Sequence, residues 1–418
     1  MATDAGRPAG SAAGEASVPT IFDVARLAGV SHQTVSRVLN GRADVAAATR
    51  ARVQRAIADL RYTPSPAARA MASRRSRSLG LILAGRPDYG PTSAALEFNQ
   101  AAYAAGYTVS QVSMRSLEPA ALREAVQRLV VQRVEAIVLI SGERGGVEVV
   151  GSLDVGMPVV AVASEPVAGV RRVSIDQAAG ARAAVEHLAG LGHREIRHVA
   201  GPARWMDAAE RVRGWREAMA ARGLPVVEPI EGEWLPDSGY AAGLALAADA
   251  TATAVFVGND QMALGLLHAL RDAGRRVPED LSVVGFDDEP EAAHFAPPLT
   301  TLRQDFDALG RDTMSLVAAL LAAPPVASVA PAPAAPFASA APAPAPSAAP
   351  APAPPAPFAS DDPAASAAPA ASATSAASAT PATSPDPAAS ADPAASADPA
   401  PRTPSLIVRA STAPPPRP

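Results

Sequence analysis

The sequence predicts an α/β protein with a small helical head and a larger doubly wound body, and three observations carry the prediction. Charge is uneven: residues 1–78 hold 12 arginines against 5 acids, a balance of +7, while the other 340 hold 24 against 36, a balance of −12. Residues 20–60 carry apolar positions at helical spacing, interrupted after Ala28 by a single glycine. Beyond Arg77, continuous apolar runs of four to six residues alternate with helical stretches, the pattern of buried parallel strands and their crossover helices. At roughly 100–200 residues per domain, 418 residues allow two or three such units.

Composition removes whole classes of chemistry. The chain has no cysteine, which excludes disulfide frameworks, thiolate zinc sites, iron–sulfur clusters and thiol nucleophiles. All 36 of its basic residues are arginine. Without lysine there is neither a Walker A phosphate loop nor a Schiff-base nucleophile. No run of strongly apolar residues is long enough to span a membrane. Residues 1–19 are rich in Gly, Ala and Ser and lack an apolar core segment. They read as a disordered leader rather than a secretory signal, and a cytoplasmic, nucleoid-associated protein is expected.

The head comes first. Thr20 and Asp23 have capping-box spacing, Ile21, Val24 and Leu27 recur on one face, and Gly29 offers the left-handed residue that ends a helix. A second helix starts at Ser31 and runs to Leu39, and a third, over about 49–60, aligns Val53, Ile57 and Leu60. Two short helices joined by a brief turn containing glycine form a helix-turn-helix. The second helix has an apolar side (Val35, Val38, Leu39) and a polar side (His32, Gln33, Ser36, Arg37, Asn40). Gln pairs bidentately with adenine and Arg with the O6/N7 edge of guanine, so the polar side suits base reading. Charge alone fits a solvated basic face equally well, and periodicity alone fits any amphipathic helix.

The run Thr20-Ile-Phe-Asp-Val-Ala-Arg-Leu-Ala-Gly-Val-Ser-His-Gln-Thr-Val-Ser-Arg-Val-Leu-Asn40 resembles the DNA-binding head of the LacI family of bacterial transcriptional repressors. The resemblance continues through Thr49-Arg50 and Tyr62-Thr63-Pro64 and covers about residues 20–323 and 405–413. It implies that His32 and Gln33 read base edges, that Arg37 contacts guanine, and that Ser31, Thr34, Ser36, Asn40 and Tyr62 hold phosphates. One departure stands at Val45-Ala46-Ala47, where the family starts its third helix with a serine cap; alanine there costs about 0.5–2 kcal/mol. The prolines and small residues of 64–77 fall where the family has a hinge helix that pairs with its twin over the minor groove. Met71 stands at the position of the hinge's apolar wedge, which unstacks a base step and kinks the duplex. So short a helix is marginal alone and forms only when DNA and the dimer hold it.

In the body, the runs at 79–84, 136–140, 159–162 and 254–257 read as buried parallel strands, with helices such as 119–132 and 179–191 between them. About 250 residues of this pattern suit two lobes with a ligand cleft between them. The resemblance supplies the rest, a sensor body like that of periplasmic sugar-binding proteins. It places Arg211, Asn259 and Asp287 on sugar hydroxyls, Trp234 against the ring face, and Gln304 and Phe306 at a lobe crossover. Asp88, Tyr89 and Pro91 would face the cleft from the first strand's loop, while Asp260, Asp288 and Arg213 are expected to be structural neighbours. Ile140 and Ala163 stand where a sugar-sensing member of the family has Asn and Asp. Asp88 replaces an apolar residue there and Asp207 a small hydroxyl, so a changed ligand is expected.

Other motifs carry less. His187, His193 and His198 lie off any single helical face, and Gly190 and Gly192 interrupt a helix through them, so no metal site is expected. Gly190-x-Gly192 lacks the third glycine of a dinucleotide fingerprint. Asp287-Asp288 suggests acid–base work of the sugar-hydrolase kind, but no nucleophile or metal ligand accompanies it, and no catalytic site is expected. A free sugar-binding module would lack the basic head. Residues 324–404 are nearly all Ala, Pro and Ser, hold 22 of the 43 prolines, and cannot bury a core. They read as a disordered insertion, because 405–411 resembles the family's closing strand; an undocked tail is the alternative.

The domain reading is a leader at 1–19, a head at 20–63, a hinge and linker at 64–77, a two-lobed body at 78–323, an insertion at 324–404, and a closing strand and tail at 405–418. No leucine heptad follows, so a dimer is expected. The whole reads as a homodimeric repressor of carbohydrate-utilisation genes that binds a pseudo-palindromic stretch of double-stranded operator DNA. A small carbohydrate is its effector, with no cofactor, metal or membrane partner. The family also holds activators and corepressor-dependent regulators of purine or sugar-phosphate type, and the sequence does not choose among these.

Overall fold

The computed structural model describes residues 19–39, 41–42, 44–63, 75–115, 118–153, 155–323 and 397–416. The leader up to residue 18, Asn40, residues 64–74 of the hinge with Met71, and residues 324–396 of the insertion lie outside the described residues.

In the head, α1 (Ile21–Ala28), α2 (His32–Leu39) and α3 (Ala47–Asp59) close on a small core of Val24, Val35, Val38, Val53 and Tyr62. The Asp23 carboxylate accepts from both the backbone N–H and the hydroxyl of Thr20, at 2.9 and 2.7 Å, and so fixes the first turn. Gly29 takes φ +64° and ends α1. Leu27 does not belong to the inner face: it is 54% exposed, and Ala25 and Ala28 are buried beside Val24 instead. The Ser31 hydroxyl accepts the Thr34 N–H at 3.2 Å and caps α2. α3 begins at Ala47, two residues ahead of the start expected at 49, and Ala46 makes no side-chain cap bond there.

Beyond Arg77 the chain builds two parallel sheets. The first lobe holds β1 (Ser78–Ala84), β2 (Thr108–Met114), β3 (Ile137–Ser141), β4 (Val159–Val162) and β5 (Arg171–Val173) in the order β2-β1-β3-β4-β5. Helices α4 (Tyr89–Ala104), α5 (Pro119–Val131) and α6 (Arg144–Gly151) connect them. β3 is buried throughout, as its continuous apolar run requires. β2 lies on the edge, where Thr, Ser and Gln alternate with Val and Met, and for that reason shows no apolar run in the sequence.

The chain passes at 174–176 into the second lobe, through α7 (Gln177–Gly190), β6 (Ile196–Ala200), α8 (Met206–Ala221), β7 (Ile230–Glu231), α9 (Pro236–Ala248), β8 (Ala254–Val257), α10 (Asp260–Asp272) and β9 (Ser282–Val284). Its sheet order is β7-β6-β8-β9. The Asp176 carboxylate accepts the Ala179 N–H at 2.8 Å, so α7 starts at Gln177 rather than at 179. After β10 (Thr301–Arg303) the chain returns through α11 (Phe306–Ala322), whose Leu309, Met314 and Val317 pack with Leu79, Leu81 and Phe98 of the first lobe.

The last segment re-enters the second lobe. β11 (Ser405–Ile407) pairs antiparallel with β10. Arg303 and Arg409 both reach the Asp288 carboxylate at 2.6 Å. Upstream, Arg402 bonds the first passage through its backbone, to Ser174 and Asp176 at 2.9 and 2.8 Å. Its guanidinium grips Asp312 of α11 at 2.6 and 2.7 Å. The three passages between lobes are thus tied to one another.

Ser411 is fully buried, accepts the Thr300 N–H at 2.8 Å and donates to the Val283 carbonyl at 2.6 Å. Ser411→Ala strands a buried donor and a buried acceptor, which costs about 1–3 kcal/mol. A urea unfolding midpoint lowered accordingly is expected; an unchanged midpoint would mean that the last segment adds nothing to the folded body.

Candidate functional site

Where the lobes face each other lies a half-open cavity. One side of it is built on a closed circuit of four polar side chains, each no more than 7% exposed. Arg211 Nε donates to Gln177 Oε1 at 2.9 Å, and Gln177 Nε2 donates to Gln304 Oε1 at 3.0 Å. Gln304 Nε2 donates in turn to Asp287 Oδ1 at 2.7 Å, and Arg211 Nη2 lies 3.6 Å from the same oxygen. The Arg211 guanidinium also donates to the Gly258 carbonyl and lies over the Phe286 ring at 3.8 Å. Asp287 is presented from left-handed backbone, φ +114°, with Asp288 following at +55°. Burial raises the Asp287 carboxyl to about 6; Arg211 and Gln304 pull it down, while Asp207 and Asp88 push it up.

Two tryptophans wall the cavity. Trp234, itself at φ +63°, seats its indole on Gly201, where any Cβ would collide with the ring. Trp205 stands at 72° to it with ring centroids 6.0 Å apart, and its indole covers Gly142 of the first lobe in the same way. The backbone of Trp205 bridges to Glu143, and the Met206 N–H donates to the Gly142 carbonyl at 2.8 Å, so this wall also joins the lobes. Both indole N–H groups are buried with no hydrogen-bond partner among the described residues.

All eight residues expected at the cleft (Asp88, Pro91, Arg211, Trp234, Asn259, Asp287, Gln304 and Phe306) line this cavity, together with Tyr89 and Asp207. Asn259 does so with both polar ends engaged: its Oδ1 caps α10 by accepting the Met262 N–H at 3.0 Å, and its Nδ2 donates to the Trp234 carbonyl at 3.1 Å. Gln177, Trp205, Ser164 and Ser174 also line the cavity and were not singled out from the sequence. Gln177 was hidden by the late reading of its helix start. A tryptophan just before a helix looks no different from Trp215, which is fully buried core. Ile140 and Ala163 give the floor an apolar patch. Asp207 accepts the Ser164 hydroxyl at 2.6 Å across the lobes. Asp88 keeps one oxygen 3.6 Å from Arg86, and its other oxygen is buried with no partner among the described residues.

The remaining candidates hold the fold. Asp260 accepts the Glu289 N–H at 2.9 Å and the Thr301 hydroxyl at 2.6 Å. Arg213 pairs with Glu210 and Glu217 on the surface of α8. Asp287 and Asp288 point into different pairings, so they do not form an acid–base couple. His187 bonds Thr412, His193 bonds Thr253 and the Ala413 carbonyl, and His198 bonds the Phe256 carbonyl. Among the described residues, no three metal-binding side chains cluster, and no helix is long and apolar enough to cross a membrane.

On the head, Ser31, His32, Gln33 and Arg37 are exposed on α2, and Thr34 and Ser36 are half-buried. Ser31, Thr34 and Arg37 share a shallow groove with Thr49 and Arg52 of α3. Arg37 sits 3.8 Å from Asp44, and His32 packs at 5.2 Å on the exposed Phe22. Tyr62 is 8% exposed, its ring inside the head core.

Residues 20–65 match the bacterial regulatory proteins, lacI family, and residues 185–336 match the periplasmic binding protein-like domain. The lactose operon repressor of Escherichia coli (strain K12) is 33% identical over 300 residues, 71% of this chain and 82% of that protein. A solved structure of the lac repressor dimer bound to operator and the anti-inducer ONPF matches with a TM-score of 0.67 at 32% identity, over 72% of this chain and 92% of that one. The complex of the transcriptional regulator CelR with cellobiose matches with a TM-score of 0.54 at 33% identity, over 72% and 93%.

Gly201→Ala should push the Trp234 indole off its seat. The expected result is a shifted tryptophan emission with unchanged far-ultraviolet circular dichroism; unchanged emission would contradict the seat.

Proposed function

The chain belongs to the LacI family of bacterial regulatory proteins, and on that premise we propose that it is a homodimeric repressor. It reads a pseudo-palindromic operator with two heads and is released by a small sugar held in the cleft. The observation that supports the effector half most is the Arg211–Gln177–Gln304–Asp287 circuit beside the Trp234 face. Fixed planar polar groups next to an indole match the hydroxyls and the C–H face of a pyranose. The solved relatives hold ONPF with operator in one case and cellobiose in the other. A sugar-phosphate or other anionic corepressor fits poorly, because Asp88, Asp207 and Asp287 line the cavity and its one guanidinium is already engaged. The relatives named are transcription regulators, not enzymes.

For the head, His32 and Gln33 are assigned to base edges and Arg37 to guanine, supported by their exposure on one side of α2. Ser31, Thr34, Ser36, Asn40 and Tyr62 are assigned to phosphates and Met71 to the hinge wedge. The domain limits and the cytoplasmic location belong to the same reading. Coupling runs through the passages between lobes, since Gln177 follows the first and Gln304 lies in the second, and both are in the circuit. A ligand shifts DNA affinity only by its differential affinity for the two lobe arrangements.

Fluorescence anisotropy on DNA from upstream of the chain's own gene, at fixed salt, with and without a sugar panel, tests the whole reading. Arg37→Ala is expected to relax base preference at one position by about 1–3 kcal/mol. Trp234→Ala should keep operator binding and abolish release by sugar. Loss of operator binding by a folded Trp234→Ala would break this division of labour. Affinity for the sugar should also depend on pH. Hydroxyls donate to an ionised Asp287, so a proton competes as pH falls through about 6. Calorimetry should show affinity falling by up to about tenfold per unit below that pH; a profile flat through about 6 would remove Asp287 from ligand contact.

A further inference from the structure

Resting on the sugar-effector reading, we propose that the effector is an amino saccharide, whose ammonium group is received by Asp88 and Asp207. The cavity is lined by three carboxylates, Asp88, Asp207 and Asp287, and by one guanidinium, Arg211. Arg211 is matched by Asp287 within the circuit and Arg86 lies 3.6 Å from one oxygen of Asp88, which leaves the second oxygen of Asp88 and the Asp207 carboxylate to the cavity. The second oxygen of Asp88 is buried and has no partner among the described residues. Asp207 accepts a neutral hydroxyl from Ser164 and forms no ion pair among the described residues. The burden of these like charges registers on their neighbours: Asp207 and Asp88 both push the Asp287 carboxyl upward. A cation placed between them would relieve that repulsion in a low-dielectric site, where charge pairing is strongest.

The rest of the lining narrows the chemistry. Trp205 and Trp234 line the cavity and carry buried indole N–H donors with no acceptor among the described residues, and hydroxyl or ring oxygens on a charged ligand would satisfy them. A simple polyamine brings no acceptors, and a phosphate brings the wrong sign. Ile140 and Ala163 offer the floor no polar partner, which concentrates recognition on the two aspartates. Two indole faces at 72° suit an ammonium group and a sugar's C–H face together. Asp88 precedes α4 in the first lobe and Asp207 lies on α8 in the second, so one ammonium group held by both would also bind the lobes together.

The test compares matched pairs on the full chain by titration calorimetry, at a pH below the amine's own pKa: glucosamine with glucose, galactosamine with galactose, and the β-1,4 glucosamine dimer with cellobiose. In at least one pair the amine should bind tenfold or more tightly than its neutral parent. Asp88→Asn and Asp207→Asn together should collapse that ratio toward one, while tryptophan emission reports whether the cavity stays folded. A neutral parent that binds as tightly as its amine in every pair overturns the ammonium proposal. If that parent still releases operator DNA, the sugar-regulator reading stands without it. No binding by any amine overturns the proposal as well.

Discussion

The Arg211 guanidinium is buried at the joint of the two lobes, and much of the cleft is organised by the need to satisfy it. A buried charge left unpaired costs several kcal/mol. Here it is met by the Gln177 amide, the Gly258 carbonyl, the Asp287 carboxylate and the faces of Phe286 and Trp234. Those groups come from the start of α7, the end of β8, the loops after β7 and β9, and, through Gln304, the passage into α11. Each must arrive at the same point. The left-handed backbone at Asp287 and Trp234 is the local strain that lets two of them do so.

The same demand gives the passages between lobes their sensitivity. Gln177 and Gln304 touch each other at 3.0 Å, one just after the first passage and one within the second. Arg402 binds the third passage to the first and to α11. A change in lobe orientation would therefore disturb the circuit that lines the cavity, and a ligand seated on the circuit shifts the lobes only as far as it binds one orientation better than the other. The interlobe contact of Trp205 with Gly142 and the bond between Ser164 and Asp207 lie in the cavity lining and would feel the same change.

Much of this was legible in the sequence where local chemistry is strong. Gly29, the Thr20–Asp23 pair and the apolar runs of β3, β4 and β8 specify their elements without help. Reading failed where tertiary context decides. Leu27 fits the helical stripe, yet the small side chains of Ala25 and Ala28 are the ones that turn inward. β2 pairs at a sheet edge and so needs no apolar run. The cleft residues came from family resemblance rather than spacing, because Arg211, Asp287 and Gln304 are separated in the chain and meet only once the second lobe and the passage at Gln304 have folded. Gln177 was lost to a two-residue error in a helix start, and Trp205 to its likeness to a core tryptophan.

On the proposed reading, occupancy of the cleft and affinity for DNA both report one lobe arrangement. This is tested most directly by titrating whichever panel sugar releases operator into the full chain, alone and saturated with operator duplex, at one salt concentration. Linkage is reciprocal, so operator should weaken effector binding by the same factor by which effector weakens operator binding. Equal effector affinity with and without operator would contradict the account.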